Sequence, residues 1–253
     1  MIGIDLLGKR AVVTGGSRGV GRAVALMLGA AGAQVGISYR SRHEDAEQLV
    51  RDLEALGVSA WSQAGDLSQS REAERLMNRA LDEFGGLDIF VGNAGVWPPD
   101  HVPLALMSDQ QWRDTMAANL DAIFYTTREA ARVMADGGRI VLISSTAGQR
   151  GEAGHGDYAA SKGAIISLVK GVAVEMAGHD ITVNCVAPGW VDTEMASPAL
   201  RGDARSKVEA GIPLHRIATA EDIAGPVVFL CSEMARHITG EVVNVNGGSV
   251  LCG

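Results

Sequence analysis

Short apolar or β-branched runs alternate along this chain with longer amphipathic segments, and no other feature restricts the possible folds so strongly. Such alternation is typical of βαβ units, in which each helix carries the chain back across a parallel sheet. The sequence predicts seven strands, at Ala11–Thr14, Gln34–Tyr39, Val58–Gln63, Leu87–Val91, Arg139–Ser144, Ile181–Val186 and Val242–Val245. It predicts helices over Val20–Ala31, Asp45–Leu56, Gln69–Phe84, Asp109–Met134, Asp157–Ala177 and Ala220–Cys231. The pattern therefore predicts an α/β fold with a doubly wound sheet.

The composition is that of a globular domain and excludes several classes of protein. Hydrophobic residues make up 47% of the 253 residues and charged residues 21%, which is enough apolar material for a large core. Neither an internal repeat nor a linker divides the chain, so we expect one domain over residues 1–253. The 22 basic residues are outnumbered by 30 acidic ones, and the net charge of −8 argues against binding to nucleic acid or to an anionic membrane surface.

The sequence carries no pattern typical of secretion, membrane insertion or metal binding. The first residues include Asp5 and no long apolar stretch. No uncharged apolar run approaches the length of about 18 residues that a membrane span needs. The three cysteines, Cys185, Cys231 and Cys252, are widely spaced and form no C-x-x-C pair. We therefore expect a cytoplasmic protein without a disulfide framework or a metal site.

A glycine-rich turn, Thr14-Gly15-Gly16-Ser17-Arg18-Gly19-Val20-Gly21, follows the first predicted strand and precedes the first predicted helix. Glycines in this position let the backbone approach a pyrophosphate, whose charge then faces the free N–H groups of the helix N-terminus. The spacing differs from the common G-x-G-x-x-G pattern, and such a turn can also be no more than a tight connection. Its place in the first βαβ unit favours a dinucleotide site. The predicted contacts are Gly15, Ser17, Arg18, Gly19, Val20 and Gly21.

The end of the second predicted strand distinguishes the two nicotinamide dinucleotides. An acidic residue there would bind the ribose 2′-hydroxyl of NAD(H), whereas an arginine suits the 2′-phosphate of NADP(H). The sequence has Tyr39 and Arg40 at this point, and no acid before Glu44. Arg18 can reach the same region, and paired guanidinium groups bind phosphate well. NADP(H) is therefore the expected cofactor, with NAD(H) as the alternative, and Arg42 is interpreted as a solvated charge.

Two further strand ends carry polar residues on the side where an open parallel sheet binds ligands. Asp66 and Leu67 follow the third predicted strand, and Asn93-Ala94-Gly95 follows the fourth. Each alone could be a turn or a helix cap. Together they are expected to line the adenine and ribose side of one crevice.

Tyr158 and Lys162 lie four residues apart, on one face of the predicted helix Asp157–Ala177. A tyrosine with an ordinary pKa of about 10 is a poor acid–base catalyst, and a neighbouring cation would lower that pKa. Ser145, at the end of the fifth predicted strand, could donate a hydrogen bond to a carbonyl oxygen. Asn119 lies in the long predicted helix Asp109–Met134. Ser145 and Asn119 could equally have purely local structural roles.

Taken in order, these motifs resemble those of the short-chain dehydrogenase/reductase family over almost the whole chain. The resemblance includes Pro188-Gly189 with Thr193, and the late segments 238–241 and 246–248. It is strongest to the group of 3-oxoacyl-[acyl-carrier-protein] reductases and glucose dehydrogenases. It implies a Rossmann fold with a mainly parallel seven-stranded sheet, and a homotetramer.

The resemblance also implies a role for each candidate catalytic residue. Tyr158 would exchange a proton with the carbonyl or alcohol oxygen, and Ser145 would hold that oxygen. Lys162 would lower the pKa of Tyr158 and contact the nicotinamide ribose. Asn119 would hold a water that links Lys162 to solvent. The residues implied to flank the nicotinamide are Pro188, Gly189, Val191 and Thr193.

Several loops are expected to border the substrate. Trp97 and Trp190 could form apolar walls, and His155 could touch the substrate, although each could instead pack only within its own loop. Residues 190–215 are a possible lid over the site. Asp157 is expected to cap the helix that begins with Tyr158.

The chain departs from the family pattern at two places. Gly92 stands where the family usually has an asparagine, so we expect altered hydrogen bonding at this strand end, with activity retained. Carrier-protein reductases of the family have basic residues where this chain has the short acidic segment 134–138 and Val174. Arg132 and Arg139 flank that segment but need not point outward. Docking of an acidic acyl carrier protein is therefore in doubt.

The combined prediction is an NADP(H)-preferring oxidoreductase that reduces a ketone or a 3-oxoacyl substrate through a tyrosine proton donor. The alternatives are an NAD(P)-dependent sugar or alcohol dehydrogenase and a non-catalytic dinucleotide sensor. The complete set Asn119, Ser145, Tyr158 and Lys162 argues against a sensor. The helix Asp157–Ala177 is apolar or small on nearly all sides, which favours contact with another subunit, although a neighbouring loop could cover it instead.

Overall fold

The strands pair in a single parallel sheet, in the order β3-β2-β1-β4-β5-β6-β7. The computed structural model describes residues 3–251, so Cys252 lies outside the described residues. The strands are β1 (Arg10–Val13), β2 (Gln34–Tyr39), β3 (Ala60–Ala64), β4 (Leu87–Gly92), β5 (Met134–Ile143), β6 (Thr182–Pro188) and β7 (Val242–Val245). The predicted doubly wound Rossmann fold with seven strands is confirmed.

Helices cover both faces of this sheet. The α-helices are α1 (Gly19–Ala30), α2 (His43–Ala55), α3 (Ser70–Phe84), α4 (Asp109–Met116), α5 (Ala122–Val133), α6 (Thr146–Arg150), α7 (Gly156–Met176), α8 (Ala204–Ala210) and α9 (Ala220–Leu230). Helices α1, α2 and α9 pack on one face, and α3, α5 and α7 pack on the other. Short 3₁₀ turns span Leu104–Leu106, Ala177–His179, Ser197–Leu200 and Glu233–Ala235.

The strands are buried on both faces, which explains their nearly continuous apolar sequences. Val13 packs in the core beneath α1, α2 and α9, whereas its neighbour Val12 packs on the opposite face. The same division separates Ile89 from Phe90 in β4. From β3, at one edge, the chain crosses back to place β4 beside β1. This reversal leaves a crevice at the carboxyl ends of β1 and β4.

The prediction of one long helix over Asp109–Met134 is wrong. A π-helical turn, Ala117–Asp121, separates α4 from α5, and Met134 already belongs to β5. The π turn lies where the Asn119 side chain bonds to the backbone of Val96, and such insertions are common at functional sites. The early start of β5 is irregular, because Gly137 has a positive φ of 77° and the pairing with β4 shifts register.

The other predicted boundaries differ from the observed ones by one or two residues. Helices α6 and α8 were not predicted, because five and seven residues are too few to show a helical period. Within residues 3–251, no helix combines the length and apolar character that crossing a membrane requires.

Candidate active site

A cavity of about 590 Å³ lies at the carboxyl ends of the strands and collects most of the predicted site residues. The predicted residues in its wall are Gly15, Ser17, Arg18, Gly19, Val20, Tyr39, Arg40, Asp66, Leu67, Asn93, Ala94, Gly95, Trp97, Ser145, Tyr158, Lys162, Pro188, Gly189, Trp190, Val191 and Thr193. Gly21, Asn119 and His155 do not line it.

The glycine-rich turn has the close backbone approach that a pyrophosphate needs. Gly15 and Gly19 adopt positive φ values of 65° and 53°, which L side chains rarely tolerate. Helix α1 begins at Gly19, and the side chain of Arg18, in the capping position, accepts no hydrogen bond from the first N–H groups of the helix. A Cβ on Gly21 would lie 2.3 Å from the Gly15 carbonyl oxygen. Gly21 therefore lets α1 pack against the turn and has no cavity surface of its own.

Thr14 and Asn93 join the end of β4 to this turn. The Thr14 hydroxyl accepts hydrogen bonds from the backbone N–H groups of Asn93 and Ala94, at 2.9 and 3.0 Å. The Asn93 side-chain amide donates in return to the carbonyl oxygens of Thr14 and Gly15, at 2.9 and 3.2 Å. Asn93 thus fixes the glycine-rich turn from the neighbouring strand, in addition to lining the cavity.

Three arginines stand at the end of the cavity formed by β2. Arg40 forms an ion pair with Asp66, with Nη2 and Oδ2 3.3 Å apart. Arg18 and Arg42 both donate to the carboxylate of Glu194, at 2.7 and 3.1 Å. The interpretation of Arg42 as an isolated solvated charge is wrong, because Arg42 lines the cavity and shares an anionic partner with Arg18. Its position two residues after Arg40 was the signal that could have identified it.

Burial controls the acid strength of Tyr158. Loss of hydration raises the pKa of Tyr158 to about 12, the hydrogen bond with Ser145 opposes this rise, and the Glu152 carboxylate adds to it. Ser145 follows the end of β5 and caps α6, since its hydroxyl accepts a hydrogen bond from the Ala147 N–H at 3.1 Å. The phenol of Tyr158 therefore stays protonated at neutral pH.

The predicted lowering of the Tyr158 pKa by Lys162 stays a prediction. The Lys162 ammonium lies 5.9 Å from the centre of the Tyr158 ring and donates to the backbone carbonyl of Ile143 at 2.9 Å. Burial lowers the pKa of Lys162 itself to about 8. Burial is therefore the largest cause of both pKa shifts in the protein alone.

Asn119 does not line the cavity, but its side chain is hydrogen-bonded to the backbone of Val96, which does. Its side chain accepts from the Val96 N–H at 2.7 Å and donates to the Val96 carbonyl at 2.9 Å. It also donates to the Ser161 hydroxyl at 3.3 Å. A Cβ on Gly95 would lie 2.9 Å from Asn119 Oδ1 and 3.4 Å from Lys162 Nζ. The side chains of Asn119 and Lys162 therefore both lie against Gly95, and a larger residue at that position would crowd them.

The expectation that Asp157 caps α7 is wrong. The helix begins at Gly156, with His155 in the capping position. Asp157 lies in the first turn and is fully buried. Its carboxylate accepts hydrogen bonds from the Thr115 hydroxyl at 2.7 Å and from the Gln111 amide at 3.2 Å. Asp157 thus ties the helix that carries Tyr158 to α4.

Two tryptophan rings line the cavity. Trp97 and Trp190 meet edge to face, with ring centres 5.9 Å apart. His155 stacks on Trp97 at 4.8 Å, and it lies outside the cavity wall. The structure therefore gives His155 a place behind Trp97, with neither ring nitrogen hydrogen-bonded. Arg150 and Glu152, from the loop 149–155 that was expected to border the pocket, also line the cavity.

Similarity to known proteins agrees with this geometry. Residues 15–249 match the family described as enoyl-(acyl carrier protein) reductase. The 3-oxoacyl-[acyl-carrier-protein] reductase FabG of Escherichia coli strain K12 is 39% identical over 246 residues, covering 96% of this chain and 98% of that protein. FabG of Staphylococcus aureus strain N315 is 37% identical over 245 residues, with the same coverage.

Two solved structures share the fold across the chain. A short-chain dehydrogenase/reductase described as a glucose/ribitol dehydrogenase, from Brucella melitensis, has a TM-score of 0.92 and 32% identity, covering 99% of this chain and 100% of that one. A short chain dehydrogenase from Burkholderia cenocepacia J2315, in complex with NADP, has a TM-score of 0.91 and 36% identity, covering 96% and 98%. The chain belongs to the short-chain dehydrogenase/reductase family.

Membership in the short-chain dehydrogenase/reductase family confirms the resemblance found in the sequence, and makes the protein an oxidoreductase of alcohol and carbonyl groups. The family's usual asparagine is replaced by Gly92 for a steric reason. A Cβ on Gly92 would lie 2.6 Å from Leu142 Cδ2 and 3.0 Å from Ile123 Cδ1. Apolar side chains of β5 and α5 thus fill the space into which an asparagine would project.

The residues that bear on docking of a carrier protein differ in exposure and pairing. The Arg139 side chain is 5% exposed and pairs with Glu233 at 3.2 Å. Arg132 is exposed, but it pairs with the carboxylate of Glu129 at 2.9 Å. Val174 is 79% exposed on α7. Arg139 therefore points inward, whereas Arg132 and Lys170 are exposed at the surface.

We expect Lys162 to titrate separately from Lys9, Lys170 and Lys207, the other lysines of the chain. In ¹³C-lysine NMR of the protein alone, one side-chain signal should titrate with a pKa of about 8 and be missing from Lys162→Arg. All four lysines titrating together above pH 10 would contradict this assignment. Because unfolding restores the ordinary pKa of 10.5, burial of the charged lysine destabilises the fold by a constant amount below pH 8. This penalty is lost as the pH rises from about 8 to 10.5, where the folded protein has released the proton and the unfolded chain still holds it.

Proposed function

We propose that this short-chain dehydrogenase/reductase uses NADPH to reduce a ketone, or the 3-oxo group of an acyl thioester, with Tyr158 as proton donor. The observation that carries the proposal is the placement of Tyr158, Ser145 and Lys162 in one cavity with the glycine-rich turn. A bound nicotinamide would supply the hydride for the carbonyl carbon. The residues proposed to hold its ring are Pro188, Gly189, Val191 and Thr193.

The chain itself would orient the substrate and handle the proton. The hydroxyl groups of Ser145 and Tyr158 would donate to the carbonyl oxygen, and Tyr158 would transfer its proton as negative charge develops there. A phenol whose pKa is raised to about 12 is protonated at neutral pH, so Tyr158 carries the proton that the reduction needs. Lys162 would bind the nicotinamide ribose, and Asn119 would hold the water through which the proton returns.

The arginines at the end of β2 favour NADPH over NADH. Arg18, Arg40 and Arg42 all line the cavity, and guanidinium groups provide paired donors for a phosphate. Arg40 has its Asp66 partner at 3.3 Å and is 69% exposed, so its donors remain accessible. The similar protein from Burkholderia cenocepacia is described in complex with NADP, which also supports this choice of cofactor.

The substitution Arg40→Asp should weaken NADPH binding about 10- to 100-fold, because it removes a charge-assisted contact to the 2′-phosphate. Binding of NADH, which has a hydroxyl at that position, should change little. Dissociation constants from nucleotide fluorescence would measure both effects. Arg51→Asp is the matched control, since Arg51 is an exposed residue of α2 outside the cavity wall. An equal loss with both cofactors would contradict the proposed role of Arg40.

Two substrate types have support from different observations. The curated relatives reported above are named 3-oxoacyl-[acyl-carrier-protein] reductases, which favours an acyl thioester. The edge-to-face walls of Trp97 and Trp190 favour a compact apolar ketone, and the inward position of Arg139 makes docking of a carrier protein unfavourable. A sugar or alcohol dehydrogenase is the further alternative, supported by the similar Brucella melitensis protein.

NADPH consumption with acetoacetyl-CoA and with a panel of free ketones would distinguish these substrates. We expect turnover that Tyr158→Phe reduces about 10²- to 10⁴-fold, because the variant lacks the proton donor. Its NADPH affinity should stay close to that of the wild type, which separates lost chemistry from lost binding. NADPH binding without turnover of any ketone or alcohol would instead indicate a dinucleotide sensor.

We also propose that the protein is a homotetramer in which the outer face of α7 contacts another subunit. Val174 on α7 is 79% exposed and Phe124 on α5 is 44% exposed, and apolar side chains of this size are usually covered in symmetric assemblies.

Light scattering should give about four times the mass of one chain, and Val174→Arg should lower it. Leu56→Arg, at an exposed site beside α2, is the matched control. A monomeric wild type, or an equal effect of both substitutions, would exclude this interface.

A further inference from the structure

Glu194 joins two arginines across the opening of the cavity. Its Oε2 accepts from Arg18 Nη1 at 2.7 Å and from Arg42 Nη2 at 3.1 Å. The three residues come from distant parts of the chain: the glycine-rich turn, the start of α2, and the segment after β6. All three line the cavity.

The backbone around Glu194 holds it in this position. The Asp192 N–H donates to the Ala218 carbonyl at 2.8 Å, and the N–H groups of Ala196 and Ser197 donate to the Thr193 carbonyl at 3.1 and 3.0 Å. The methyl group of Thr193 lies 3.4 Å from the place of a Cβ on Gly19. Glu194 is therefore in a tight turn that lies directly against the glycine-rich turn.

Two guanidinium groups that converge on one carboxylate oxygen form an anion site that is filled from within the chain. Guanidinium groups bind carboxylate and phosphate through the same planar donors. A phosphate monoester carries more negative charge at neutral pH than a carboxylate and has three acceptor oxygens. It would therefore compete with Glu194 for Arg18 and Arg42, whereas a hydroxyl group would not.

We propose that Glu194 is a selectivity residue that competes with the 2′-phosphate of NADPH for Arg18 and Arg42, an inference that rests on the proposed use of NADP(H). Glu194 occupies one nitrogen of each guanidinium group, and its negative charge repels a phosphate that approaches the remaining donors. Glu194 therefore weakens the binding of NADPH and leaves that of NADH unchanged, so it reduces the preference for the phosphorylated cofactor.

The exposure of the three side chains sets the size of the effect. Glu194 is 58% exposed, and Arg18 and Arg42 are 47% and 52% exposed. Ion pairs as exposed as these are weak. Displacing both should weaken NADPH binding only about 3- to 10-fold. For the same reason, Glu194→Gln should fold normally.

Dissociation constants for NADPH and NADH, measured by nucleotide fluorescence, test the inference without any turnover. Glu194→Gln should bind NADPH about 3- to 10-fold more tightly than the wild type and NADH equally well. The matched control is Glu209→Gln, which removes the same charge from α8, where Glu209 pairs with Arg205. Equal tightening by both variants, equal tightening for both cofactors, or no change in NADPH binding would overturn the inference.

A double-mutant cycle shows whether Glu194 acts through the arginines. In an Arg18→Gln/Arg42→Gln background, Glu194→Gln should no longer tighten NADPH binding, and persistence of the effect there would overturn the inference. The wild-type ratio of NADPH to NADH affinity tests the proposed cofactor preference separately. If the wild type bound both cofactors equally and Glu194→Gln preferred NADPH, the proposed cofactor preference would be rejected. The competition of Glu194 for the two arginines would then still be supported.

Discussion

The parallel direction of every strand in the sheet is the constraint on which the site depends. In a parallel sheet all strands have their carboxyl ends on the same side, and each connection must carry the chain back to the side where the strands begin. Residues that follow β1, β2, β3, β4, β5 and β6 therefore meet in one cavity, although they are spread over most of the chain. No long-range signal in the sequence is needed to bring them together, because the topology does so.

The sequence predicted the fold well because its strands are buried on both faces and its helices are long. Apolar runs such as β1 and β4 and the periodic pattern of α3 leave few alternatives. It failed where tertiary contacts decide local structure. The π turn at Asn119 depends on hydrogen bonds to Val96, and the early start of β5 depends on irregular pairing with β4. Neither cause is visible in the local pattern of residues.

For the candidate site, sequence motifs predicted which residue types converge but not their mutual energetics. Tyr158 and Lys162 are four residues apart, yet burial affects each pKa more than their proximity does. Glu194 could not be predicted as a partner of Arg18, since 176 positions separate them. His155 could have touched the substrate or packed within its own loop, and it stacks on Trp97 outside the cavity wall. Motifs identify single positions, whereas charge balance and ring packing arise from the folded chain.

The bonds between Thr14 and Asn93 have a consequence for the order in which the protein is built. They connect positions 79 residues apart, so the glycine-rich turn is complete only after β4 has paired with β1. During synthesis, the ribosome would therefore release the turn, α1 and the next two strands well before the residue that secures them. Forming such non-local contacts late is the slow step in parallel α/β proteins. The hydrogen bonds that secure the turn are thus available only after β4 has been synthesised and has paired with β1.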